Sequence, residues 1–224
     1  MILLGAAVNA LAIVAGGLFG TFAGKLLPER IRTALVPAMS LVTIGIAVPG
    51  MMNTENLLIP ILSMVAGTFI GELIDIDGWL QRLSEKLQRK FSGSSVAEGF
   101  FTCSLVFAVG AVAVMGALDS GLKGDHSLLY AKALMDGTAS IAFAAALGLG
   151  VVFSSVTVFV VEGGIALLAG LVADFLSTAV INEISFVGSL LIVGISLNMM
   201  GATKLRILNM VPALVLPIIL CQFM

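Results

Sequence analysis

The stretch MSLVTIGIAV at residues 39–48 returns as GSLLIVGISL at 188–197, with Ser40/Ser189, Leu41/Leu190, Gly45/Gly194 and Ile46/Ile195 in register. A Met-Met pair follows each copy, Met51-Met52 and Met199-Met200. Upstream, VAGG at 14–17 has a counterpart in VEGG at 161–164, so two segments recur in the same order. Copies separated by an odd number of membrane crossings face opposite ways, which is the inverted-repeat architecture of many secondary transporters.

The surrounding chain is built for a bilayer. Mean hydropathy is +1.16. Apolar residues make up 59% and charged residues 11%, against roughly 25% charged in soluble domains. The 224 residues supply about eight spans of roughly 20 residues, leaving no chain for a separate soluble catalytic domain. The apolar runs are long and continuous rather than alternating, so they predict helices and not barrel strands. The expected fold is an all-α integral membrane protein, a single domain, with spans near 2–24, 33–51, 57–76, 97–118, 131–150, 152–174, 184–201 and 206–223. The break between the fifth and sixth spans is read at Gly148, Gly150, Ser154 and Ser155.

Eight spans put Lys25, Arg30, Arg32, Arg82, Lys86, Arg89, Lys90, Lys204 and Arg206 on one side, and Lys123 and Lys132 on the other. Cytoplasmic loops collect Lys and Arg, so both termini are expected outside and no basic residue is expected at mid-depth. No charged side chain precedes the first apolar run and basic residues follow it, the reverse of a cleavable signal peptide, so the first span is expected to stay. Cys103 and Cys221 fall in spans four and eight, which predicts buried packing and no disulfide or metal framework.

Three spans and their copies leave spans four and five over, yet these resemble each other. TCSLVFA at 102–108 and TASIAFA at 138–144 share Thr, Ser, Phe and Ala at matched positions, each preceded by an acid-Gly step, Glu98-Gly99 and Asp136-Gly137. One half is therefore read as about 1–118 and the other as about 131–224, with the fourth element moved to the front of the second half. Within GWLQRLSEKLQRKF at 78–91, Trp79, Leu80, Leu83 and Leu87 share a face opposite Arg82, Lys86, Arg89 and Lys90. That pattern predicts an amphipathic helix on the cytoplasmic membrane surface.

Ionisable groups at membrane depth mark pathways or coupling sites by default. Glu162 is the deepest, centred in span six before Gly163-Gly164. A carboxyl there is either protonated or paired with a cation, and both states suit proton or sodium coupling. Asp119 and Asp136 flank the loop between spans four and five. Asp136 reads as the N-cap of span five, its carboxylate facing a path with Thr138 and Ser140 on the same side of the helix. Glu98, Thr102 and Ser104 would make the matching entrance from the cytoplasmic side. Pro37, Pro49, Pro60, Pro212 and Pro217 hint at broken helices, and Pro49 aligns with Asn198, a candidate ligand. Asn9, also inside a span, is read as interhelical glue. His126, beside Asp125 in the outer loop, is read as solvated. With no Ser-His-Asp set, phosphate-cradling loop or nucleic-acid surface, the chain reads as neither an enzyme nor a nucleic-acid binder, and it calls for no cofactor.

VMGALDSGLKGD, AKALMDGTASIAFAAALGLGV and VEGGI resemble the bacterial membrane family of domain-of-unknown-function 554, the YdfK- and YqgA-like proteins, over nearly the whole chain. The resemblance implies a multi-pass protein of the prokaryotic cytoplasmic membrane that acts as a transporter. Together these readings point to a small secondary transporter working by an elevator-like or rocking movement. Proton or sodium coupling and a cationic or zwitterionic solute are favoured because acids outnumber cations within the spans. A homodimer would thicken the thin wall of eight short spans. The alternatives are a passive channel for an ion or solute, and a membrane scaffold or sensor using the 78–91 helix.

Overall fold

The computed structural model describes residues 1–52, 54–78, 96–109 and 111–223. Residues 79–95, which hold nearly all of the expected surface helix, and Gly110 lie outside the described residues. All regular structure among the described residues is helical: α1 (Leu4–Leu26), α2 (Glu29–Met51), α3 (Leu58–Ile74), α4 (Val96–Ala108), α5 (Ala111–Leu122), α6 (Ser127–Leu147), α7 (Gly150–Val172), α8 (Thr178–Met199), α9 (Ile207–Met210), a 3₁₀ turn (Val211–Leu214) and α10 (Leu216–Leu220). Four of these, α1, α2, α7 and α8, are long and apolar enough to cross a membrane singly, and the bent pair α4–α5 makes five if it is one span. Helix α3 and the 207–220 segment are apolar but shorter. The 21 residues of α6 would reach across, but Lys132 and Asp136 dilute its apolar character.

Helix ends follow local chemistry. Gly148 closes α6 at φ 75°, a conformation that favours glycine, and its N–H donates to the Ala144 carbonyl at 2.8 Å. The break read at Gly148 and Gly150 is thus present, but Ser154 and Ser155 lie inside α7, donating to the Val151 and Val152 carbonyls at 2.7 Å. The prolines also depart from expectation in α2, which runs unbroken through Pro37 and Pro49. Pro60 is the third residue of α3, where a missing N–H costs nothing. The breaks expected at Pro212 and Pro217 are present, each proline being the second residue of a short piece of the final segment, and α4 meets α5 at 61°.

Glycines set the helix pairing. Gly16, Gly20 and Gly24 form one stripe of α1, and a Cβ at them would strike the backbone carbonyl oxygens of Gly137, Ile141 and Ala145 respectively. Residue numbers rise together, so α1 and α6 are parallel and closely packed. Helix α7 pairs in the same parallel sense with α4–α5, through Gly150 against Val96, Ser104 against Thr157 and Gly121 against Ala166. Helices α1 and α7 cross antiparallel, Gly17 meeting Val152 and Gly163 meeting Leu3. Helix α2 lies antiparallel on α8, and α3 lies antiparallel on the C-terminal segment through Gly67 against Ala213 and Gly71 against Asn209. The apolar core at the centre gathers Ile13, Cys103, Phe107, Phe143, Leu147, Val151 and Val158, with Phe107 and Phe143 edge-to-face at 5.9 Å.

Two polar clips hold the ends. Glu183, 1% exposed near the start of α8, accepts from Thr54 Oγ1 at 2.9 and 2.8 Å and from the backbone N–H groups of Glu55 at 3.0 Å and Asn56 at 3.3 Å. It fastens the α2–α3 loop onto α8. Glu183→Gln puts an amide donor among those donors and should cost roughly 1.5–3 kcal/mol, the usual range for hydrogen bonds to a charged group. Thermal unfolding in detergent, with faster proteolysis at 52–57, reads this out. At the opposite end Arg206 pairs with Glu72 at 2.6 Å, with Asp75 and with Asp77 at 3.8 Å, and Asn209 Oδ1 accepts from the Asp77 N–H at 2.7 Å.

Candidate functional site

Asn9 of α1, Lys132 and Asp136 of α6 and Glu162 of α7 meet inside the bundle. Asn9 and Glu162 are fully buried, Lys132 is 8% and Asp136 7% exposed. The Asn9 amide Nδ2 bridges the two acids, donating to Asp136 Oδ2 at 3.0 Å and Glu162 Oε1 at 2.9 Å. Lys132 Nζ donates to Asp136 Oδ2 and stands 3.9 Å from Glu162 Oε1. Two buried oxygens remain without a partner, Asn9 Oδ1 and Glu162 Oε2.

Each helix brings its group here for a local reason. Lys132 and Asp136 are one turn apart and share a face of α6. The Gly16 to Gly24 stripe draws α1 so close that Asn9, nearly two turns earlier on the same helix, reaches both acids. The small Gly163 lets α7 approach α1 beside Glu162, with Leu3 3.2 Å from where its Cβ would stand. Charges in such a place are expensive to desolvate and persist only when paired and hydrogen-bonded.

Sequence reasoning chose Asp136 and Glu162, which meet, and read Asn9 as glue, which it is while also touching both carboxylates. Two readings are corrected. Lys132, read as an outer-side cation at the start of the fifth span, is carried inside the bundle instead, because α6 begins at Ser127 and sets it buried beside Asp136. For the same reason Asp136 is not an N-cap but sits mid-helix. The start of α6 is instead held by Asp125, which accepts from the Ser127 N–H at 2.9 Å and hydroxyl at 2.6 Å. Those bonds keep its carboxyl below the usual range. The spacing K-A-L-M-D was the legible signal for the buried pair, since i and i+4 share a helix face.

The other candidates lie apart from the tetrad. Ser140 is buried but donates to its own helix, to the Asp136 carbonyl at 2.7 Å. Thr138 is exposed and bonds the Leu134 and Met135 carbonyls, so it does not share a side with Ser140. Thr102 donates to the Met199 sulfur at 3.7 Å and Ser104 to Thr157 Oγ1 at 3.0 Å, joining α4 to α8 and α7. Glu98 is exposed in the first turn of α4. Asp119 pairs at 2.6 Å with Lys123, which is mostly exposed. Asn198 closes the loop after α8, donating to the Leu205 carbonyl at 2.7 Å and accepting from Thr203 and the Leu205 N–H. His126 is half-buried rather than solvated, 2.6 Å from Ser120 Oγ, which donates to the Ile2 carbonyl. Among the described residues, Glu183 and Lys132 are the buried charges that sequence reasoning did not select.

Long apolar helices around a buried charged cluster define a polytopic membrane protein. The chain belongs to the family described as "Protein of unknown function (DUF554)", whose sequence model matches residues 4–222. It is similar to "Uncharacterized membrane protein YdfK" of Bacillus subtilis (strain 168), 30% identical over 215 residues, 93% of this chain and 91% of the relative. It is also similar to "Uncharacterized protein YqgA" of Escherichia coli (strain K12), 28% identical over 220 residues, 95% of this chain and 94% of that one. No solved structure was found to match.

Proposed function

We propose that this protein is a small secondary transporter of the prokaryotic cytoplasmic membrane, and that Asn9, Lys132, Asp136 and Glu162 form its coupling site. The observation that carries the reading is the tetrad itself. It gathers two acids, one base and one amide from three helices, in a setting where unneeded charge is strongly disfavoured. The acids exceed the base by one, which favours a cationic or zwitterionic solute.

Eight crossings with both termini outside account for the helix directions. Under that count α1 and α6 run inward together, α7 and α4–α5 run outward together, and the Glu183 and Arg206 clips fall on opposite faces. With Lys132 withdrawn into the bundle, Lys123 is the one loop cation left on the outer side, which strengthens the charge asymmetry. Helix pairing supports the inverted repeat. Exchanging α1 with α7, α2 with α8, α3 with the C-terminal segment and α6 with α4–α5 carries the parallel pair α1–α6 onto α7–α4–α5. The same exchange returns the α2–α8 pair and the pair of α3 with the C-terminal segment to themselves. Such an arrangement suits alternating access at the repeat interface.

The test is a thermal-shift panel of monovalent cations and cationic, zwitterionic and neutral solutes on purified protein, followed by uptake of the hits into proteoliposomes. A ligand at about 100 times its Kd stabilises by about 2.7 kcal/mol. Saturable uptake, abolished to the level of empty vesicles in Asp136→Asn, is expected. Uptake that never saturates and survives the substitution would make the protein a channel. No ligand and no uptake, with function lost on neutralising Arg82, Lys86, Arg89 and Lys90, would make it a scaffold or sensor.

A further inference from the structure

We propose that the tetrad holds one exchangeable proton, carried on Glu162 in the resting state, and that the coupling ion is this proton rather than sodium; the coupling role rests on the transporter reading above. Lys132 Nζ is committed to Asp136 Oδ2 and stands 3.9 Å from Glu162 Oε1, beyond hydrogen-bond length. Asn9 supplies Glu162 Oε1 with a neutral donor. The second oxygen, Glu162 Oε2, is buried and has no donor at all.

An ionised carboxylate with one oxygen bare inside a fully buried site is the arrangement proteins avoid. A proton on that oxygen removes the uncompensated charge. It neutralises Glu162, leaves Lys132 and Asp136 as a matched pair, and makes the unpartnered oxygen a donor. The groups facing Glu162 are Asn9 from α1 and Lys132 and Asp136 from α6. The Cys103 thiol of α4 lies near enough to Asp136 to sense its charge. One base therefore serves two acids, and the count closes with one added positive charge.

A bare metal cation fits less well. Hard cations take a shell of several oxygens, and the tetrad offers two buried oxygens without partners, Asn9 Oδ1 and Glu162 Oε2. Among the described residues no group of three or more His, Cys, Asp or Glu side chains is placed to hold a metal ion. In the coupling step the Oε2–H bond of Glu162 breaks, the proton leaves to water, and the electron pair stays on the carboxylate. Lys132, already poised between the acids, then balances half of their joint charge, and the deficit is met by a positively charged solute or by reprotonation.

Infrared spectroscopy of the lipid-reconstituted protein at neutral pH tests this through the C=O stretch of protonated carboxylic acids. In sodium-free buffer the wild type should show a buried acid band that is absent in Glu162→Gln. Asp136→Asn should lose the same band although Glu162 is still present, because Lys132 is then balanced by an ionised Glu162. A neutral glutamic acid with a merely structural role would keep its band in Asp136→Asn, and that result would overturn the proposal. So would a wild type without the band, or one whose band vanishes and whose Tm rises when sodium chloride replaces choline chloride. The band and its two losses without any solute uptake would retain the proton site and remove the transporter reading. Sodium-driven uptake without the band would do the reverse.

Discussion

Lys132→Met is expected to destabilise the protein by about 3–5 kcal/mol, the range found when one partner of a buried ion pair is removed and the other is left uncompensated. The methionine keeps much of the lysine's volume, so cavity formation contributes little and the loss is electrostatic. Asp136, at 7% exposure, would retain a single neutral donor, Asn9 Nδ2. The double substitution Lys132→Met with Asp136→Leu should regain most of the loss, because replacing a whole buried pair by apolar groups is often neutral or stabilising. Thermal midpoints in one detergent, wild type against single and double variants, decide this. If the double variant is as unstable as the single one, Lys132 acts through packing and not through its charge. Recovery of stability without recovery of uptake would separate the fold's need for charge balance from a need for the charges themselves in the proposed transport.

The second large effect is steric. Gly20→Val should dismantle the α1–α6 interface, because even its first carbon meets the backbone of Ile141 and a main-chain atom cannot step aside. Overpacking usually costs about 1–3 kcal/mol and occasionally more, and here the upper end is expected because both neighbours along the stripe, Gly16 and Gly24, hold the same spacing. Separation of the helices would also pull Asn9 from Asp136 and Glu162, so the substitution should abolish uptake along with stability. Gly45→Ala is the matched control. Nothing lies within 4 Å of its Cβ, and a helical Gly→Ala change relieves about 0.5–1 kcal/mol of backbone entropy cost. Monodispersity and unfolding midpoints should therefore move in opposite directions for the two glycines. Equal losses would mean that helical glycine, and not close approach, is what matters.

The properties legible in the sequence are the local and the additive ones. Membrane class was legible because it is a sum over composition, and helix was legible because continuous apolar runs leave the backbone no other way to satisfy itself in lipid. The turn at Gly148 could be placed because its requirement for a positive φ belongs to one residue. Asp136 and Glu162 could be selected because buried charge is informative wherever it stands. Proline was a mixed guide. Pro37 and Pro49 sit within an unbroken α2, Pro212 and Pro217 stand at breaks of the final segment, and α4 meets α5 at 61° with no proline in either helix.

What the sequence determined by itself is an all-helical membrane protein with an excess of buried acid and a repeated pattern of small residues. Only the tertiary structure decided that Lys132 and Asn9 complete the site with Asp136 and Glu162. The physical reason is that a charge inside the bundle is tolerated through its partners, and Asn9 lies 127 and 153 residues away in the chain from the two carboxylates it bridges. No local pattern carries that distance. It is set by how closely α1 descends on α6 and α7, which depends on the glycines of one helix meeting the backbones of the others.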